Sequence, residues 1–146
     1  MRRALVALAL LASLAACARA ETETERNRRI VGQFARAFYA DKDVERAFGT
    51  YVAKDYVQHN PGIADGRDAA IAALAPMVSR PGATFDVKRI LVDGDMAMIH
   101  LLGKGDPNGR GAAVADLYRL KDGKIVEHWD VIQPIPVSSA NPHPFF

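Results

Sequence analysis

The chain has 146 residues, 49% of them hydrophobic and 25% charged, with one cysteine and a formal charge of +2. That length supports one domain with one core. A lone cysteine excludes an intramolecular disulfide, and the near-neutral balance excludes the basic footprint of a nucleic-acid binder.

Met1-Arg2-Arg3 is a basic start, and residues 4–16 form a short run of Ala, Leu and Val with one Ser. This is the order of a secretory signal peptide; a spanning helix would need about 20 apolar residues. Leu14-Ala15-Ala16-Cys17 has the form of a bacterial lipobox, while Ala18-Arg19-Ala20 offers ordinary cleavage before Glu21. The position of the only cysteine favours the lipobox, with Cys17 as the lipidated first mature residue. The expected organisation is a signal peptide at 1–16, a lipidated N-terminus and linker at 17–26, and one domain at 27–146. Cys17 would tether the chain to a membrane in the periplasm or at the cell surface, with the folded part in water. A lipidated thiol also rules out thiol catalysis. Loss of Arg2 and Arg3 brings 19 basic residues to 17, against 17 acidic ones.

The first half reads as helices. Thr22-x-x-Glu25 has capping-box form, and Ile30, Val31, Phe34, Ala37 and Phe38 then recur at helical spacing. Asp41 or Asp43 is placed to cap a second helix that turns Val44, Ala47 and Phe48 inward. Asp65-Gly66 leads into a third with Ile71, Leu74, Ala75 and Val78 on one side; Pro76 should kink or end it.

The second half reads as strands. Residues 84–92 and 95–104 flank Asp93-Gly94, and 111–120 and 124–133 flank Lys121-Asp122-Gly123. Short connections imply an antiparallel meander. The fold class is therefore α+β: three N-terminal helices against one face of a curved antiparallel sheet of about four main strands. The tail at 134–146 contains four prolines and ends in Phe145-Phe146, which would cover a pocket mouth, meet a partner or fray.

The last hairpin concentrates Asp116, Arg119, Glu127, His128, Trp129 and Asp130. His128 and Asp130 share one strand face; Glu127, Trp129, Val131 and Gln133 share the other. A two-residue turn at Asp122-Gly123 sets Asp116 opposite Trp129. A three-residue turn with a bulge at Gly123 sets it opposite His128, and Lys-Asp-Gly favours that second form. A carboxylate beside an imidazole fixes its tautomer and makes an acid/base group near neutral pH; a structural ion pair on the outer face has the same sequence signature. His100 alternates in phase with Met96, Met98 and Leu102, as a core histidine or a pocket group. Trp129 suits a pocket floor or the largest core side chain. Arg119 and Glu127 read as a surface pair.

These hairpin residues, with Tyr56-Val57-Gln58-His59-Asn60-Pro61 upstream, resemble the SnoaL-like branch of the nuclear transport factor 2-like superfamily from about Asn27 onward. The resemblance implies a cone: helices closing over a concave sheet around a pocket. It implies His59 at the pocket wall and a homodimer through the convex face. In the polyketide-cyclase members an Asp late in the last strand is the proposed base; that place holds Gln133 here, which cannot take a proton. Any base must then be Asp116, His128, Asp130 or His59.

Other chemistries fit less well. The four histidines lack close metal spacing, so no metal and no cofactor are expected. There is no G-x-S-x-G elbow, and Gly103-Lys104-Gly105 is not a phosphate loop. The expectation is an exported, cofactor-free enzyme moving protons on a small, mostly apolar carbonyl compound by aldol-type cyclisation, isomerisation or hydration/dehydration. Asp116 and His128 would be the catalytic pair. His59, His100, Trp129, Asp130 and Gln133 would contact the substrate. The alternative is a lipid-anchored module that binds a ligand or protein without reacting it.

Overall fold

A computed structural model describes residues 20–146; the segment read as a signal peptide, and Cys17 with it, lie outside the described residues. Helix α1 (Glu23–Ala35) opens on a complete capping box, with Glu25 N–H donating to the Thr22 hydroxyl and the Thr22 N–H donating to the Glu25 carboxylate. It passes directly into a π-helical turn (Arg36–Ala40). Helix α2 (Val44–Tyr51) is capped by Asp43, which accepts from Arg46 N–H. Helix α3 (Arg67–Val78) contains Pro76 and stops two residues later, as a proline that cannot donate its backbone bond requires.

Five strands form one sheet in the order β1-β5-β4-β3-β2. β2 (Thr84–Asp93), β3 (Met96–Lys104), β4 (Ala112–Lys121) and β5 (Lys124–Pro134) are the expected antiparallel meander. The addition is β1 (Val52–Gln58), an edge strand running parallel to β5 with an irregularity between Val52 and Val57. The extended segment that leads to Pro61 thus supplies a fifth strand.

The helices cover one sheet face. Val31, Phe34, Phe38, Val44 and Phe48 meet Ile99, Leu101, Leu120 and Ile125 in a single core. Edge-to-face aromatic contacts join Phe34 to Phe48 and Tyr118, the geometry favoured by ring quadrupoles. Asn27, buried in α1, donates to the Gly94 carbonyl and ties that helix to the β2–β3 turn.

The last hairpin corrects both expected registers. Asp122 and Gly123 have φ of 51° and 78°, a two-residue turn with both central residues left-handed, and Lys121 faces Lys124. Leu120 faces Ile125, but Arg119 faces Glu127, so Val126 is an extra residue in β5. Asp116 consequently lies opposite Asp130, neither Trp129 nor His128. One extra residue exchanges the two faces of everything beyond it. Ile125 points inward, and so do His128 and Asp130; Trp129 is turned out.

Candidate active site

The concave face and the helices enclose a cavity of about 450 Å³. Phe38, Phe48, Phe85, Leu74, Leu101 and Ile132 supply apolar wall; Asp116, His128, Asp130, Tyr56 and Tyr118 bring polar atoms into it. Three elements aim these groups. β4 and β5 present Asp116, Tyr118, His128 and Asp130 by alternation. β1 presents Tyr56 and Gln58 by the same two-residue period. The π turn brings Tyr39 inward beside Phe38, a common use of such turns.

A chain of hydrogen bonds links the polar groups. The Tyr118 hydroxyl lies 3.0 Å from that of Tyr39, which donates to Asp116 Oδ2. Asp116 Oδ1 lies 3.1 Å from His128 Nε2, and His128 Nδ1 lies 2.9 Å from Gln58 Oε1. Gln58 Nε2 donates to the Tyr56 hydroxyl at 3.2 Å. Asn60 Nδ2 donates to Asp130 Oδ2 at 2.5 Å. Asp116 and His128 are 8% and 7% exposed, so this pairing occurs in a largely dry environment where hydrogen bonds are strong and orphaned groups are costly.

Burial dominates the electrostatics of the phenols. It pushes Tyr39 and Tyr118 well above the usual tyrosine range, and the Asp116 carboxylate adds to the rise in both. Tyr56 is raised by burial first and then by Asp116. All three remain neutral hydroxyl groups at neutral pH. Ligand atoms of Asp116, His128 and Asp130 lie within 4.8 Å of one another, close enough to share a cation. Both nitrogens of His128 and both oxygens of Asp116 are already in hydrogen bonds. The donor set therefore suits a proton site better than a metal site.

Asp116, His128 and Asp130 come together as a cluster in the cavity. The other expected contacts do not reach it. Trp129 lies on the outer face, its ring stacked on His59 at 4.7 Å and 8°. His59 Nε2 meets Glu127 Oε1 at 2.8 Å on that outer face, away from the pocket wall. Arg119 Nε donates to Glu127 Oε2 at 2.9 Å, the expected surface pair. Hydrogen bonds from His59 first and Arg119 second hold Glu127 below the usual carboxylate range. His100 is also on the outer face, against Phe146 at 6.4 Å, so the tail returns over the sheet and not over the cavity mouth. Gln133 is exposed and shares the outward phase of Trp129. The physical reason is common to Trp129 and Gln133: the extra residue at Val126 sets their face.

Tyr39, Tyr56, Gln58, Asn60 and Tyr118 are site residues that sequence reasoning passed over. Alternation held a signal for three of them, because Tyr56, Gln58 and Asn60 are two apart and leave His59 in the opposite phase.

A family model for the SnoaL-like domain matches residues 31–128. An NTF2-like protein of unknown function from Mesorhizobium loti has 25% identity and a TM-score of 0.67, over 77% of this chain and 94% of that one. A candidate ketosteroid isomerase from Kribbella flavida has 18% identity and a TM-score of 0.65, over 84% and 86%. A candidate polyketide cyclase from Acidithiobacillus ferrooxidans has 20% identity and a TM-score of 0.55, over 73% and 87%. The last two likenesses concern the fold alone. No curated protein matches the chain.

Proposed function

The chain belongs to the SnoaL-like domain family, and from that premise we propose a cofactor-free acid/base enzyme acting on a small apolar carbonyl compound by isomerisation or aldol-type cyclisation. The observation that carries this reading is the convergence of Asp116, His128 and Asp130 within 4.8 Å inside an otherwise aromatic and aliphatic cavity. Two proton stations result. Asp130 takes the proton from the carbon beside the carbonyl. The Asp116–His128 pair supplies one to the carbonyl oxygen, and the enol so formed is either reprotonated elsewhere or attacks a second carbonyl. Tyr39 and Tyr118, kept neutral by burial, stabilise the Asp116 carboxylate whenever the pair gives up its proton. The isomerase and cyclase names carried by two fold neighbours support the same reaction class.

The test is exchange of α-hydrogens for deuterium in a panel of apolar ketones, followed by NMR. Asp130→Asn should lose about 10²-fold or more in exchange rate. Exchange no faster than in buffer across the panel refutes the enzyme reading.

A second reading, a ligand-binding module, draws on the internal pairing of every ring nitrogen of His128. It predicts ligand-dependent thermal stabilisation without exchange. The chain is further proposed to be exported, anchored through Cys17 and paired as a homodimer through the outer sheet face. Mass spectrometry of the mature N-terminus and light scattering test these points; an unmodified Cys17 or a strict monomer contradicts them.

A further inference from the structure

The two amides contributed by β1 and its turn have their polarity imposed by backbone donors. Asn60 N–H lies 2.9 Å from Gln58 Oε1, and a backbone N–H can only donate. That contact sets the Gln58 amide with its oxygen toward His128 and its NH₂ toward the Tyr56 hydroxyl. Asn60 is set in the same way: Gly62 N–H donates to Asn60 Oδ1 at 2.8 Å, so the Asn60 NH₂ faces Asp130.

A consequence follows for the imidazole. His128 Nδ1 faces an acceptor that cannot be reversed, so Nδ1 must carry a hydrogen. Nε2 then faces Asp116 Oδ1. A bare nitrogen against a bare carboxylate would set two acceptors against each other, so one proton lies between Nε2 and Oδ1. We propose that Gln58 is a positioning residue: it locks His128 as the Nδ1–H form and so makes the Asp116–His128 contact a one-proton reservoir.

Without Gln58 the neutral ring would place its hydrogen on Nε2, donate to the carboxylate and hold no exchangeable surplus. The charged and titratable groups around His128 are Asp116 and Tyr118 from β4, Asp130 from β5 and Tyr56 from β1, with Tyr39 acting through Asp116. None of these supplies an acceptor to Nδ1. The same alternation places Gln58 opposite His128 in the parallel β1–β5 ladder, where His59 N–H donates to the His128 carbonyl at 2.9 Å. The amide and the ring are therefore held by backbone pairing as well as by their own contact.

The catalytic meaning of this inference rests on the acid/base reading above, but its test does not need turnover. Long-range proton–nitrogen NMR of histidine-labelled protein reads each ring nitrogen, with His128 assigned from His59→Gln, His100→Gln and His143→Gln. In the parent, His128 Nδ1 should stay protonated throughout the range in which the protein is folded. In Gln58→Leu, Nδ1 should lose its hydrogen and the neutral ring should change to Nε2–H, with about a 10²-fold loss in exchange kcat and little change in KM. Gln58→Glu keeps an acceptor at Nδ1 and should restore the parent's Nδ1 signal. A parent ring with its neutral hydrogen on Nε2 overturns the proposal, as does a folded Gln58→Leu protein that keeps Nδ1–H. If Gln58→Leu fails to fold, the parent and Gln58→Glu spectra still decide. Absence of ketone exchange with the expected Nδ1 signal would remove the enzyme reading and leave the positioning role of Gln58 standing.

Discussion

Asp116 is the residue on which the polar chain depends, because it receives both the Tyr39 hydroxyl and His128. Asp116→Asn should cut ketone exchange by about 10²–10⁴-fold while circular dichroism remains that of the folded protein. Parent-like turnover in that variant would remove Asp116 from the chemistry. The phenols add a stability consequence. Burial raises the native ionisation of Tyr39, Tyr56 and Tyr118 above the ordinary tyrosine value of about 10. The unfolded chain therefore loses these protons first, and the stability they contribute is complete below pH 10 and falls as pH rises beyond it. Each ionisation costs about 1.4 kcal/mol per pH unit in that window. Alkaline denaturation should begin just above pH 10, with tyrosinate absorbance appearing together with loss of structure. The fourth tyrosine, Tyr51, is only partly buried, so growth of more than one tyrosinate in a still-folded protein would contradict the buried phenols.

The hairpins set which face each side chain occupies. Gly123 closes the last one at positive φ with only the tip of Ile30 near a notional Cβ, so Gly123→Ala should cost about 1 kcal/mol in denaturant unfolding. Gly111, also at positive φ, leaves no room for a Cβ against the Gly103 carbonyl, and Gly111→Ala should cost more than Gly123→Ala. Equal losses would mean that the β3–β4 connection yields more readily than its packing implies. At this scale the sequence is legible where periods are long. Helices with Ile30, Phe34 and Phe38, and strands flanking Asp93-Gly94 and Asp122-Gly123, announce themselves. Val126 does not, because nothing in Lys-Ile-Val-Glu-His marks which residue leaves the ladder. That one insertion decided whether Trp129 or His128 would face the cavity. The turn chemistry alone could not reveal it. β1 was obscured for a related reason: Lys54 and Asp55 are exposed, and its partner is a distant parallel strand.

For the molecule as a whole, the two sheet faces have separate duties. The concave face holds the aromatic cavity and its protons. The outer face carries Trp129, Leu91 and Val131, the last two exposed by 56% and 65%, and the ion pairs of Glu127. Val131→Asp should lower the mass read by light scattering if copies pair there, while leaving ketone exchange by the monomer intact; an unchanged dimer would place the contact elsewhere. The chain has a single tryptophan, and its ring lies across the sheet from the cavity, stacked on His59. Intrinsic fluorescence should therefore be nearly blind to a compound entering the cavity, yet respond to loss of the His59 ring in His59→Gln and to the meeting of two subunits. The natural optical reporter of this protein watches its outside.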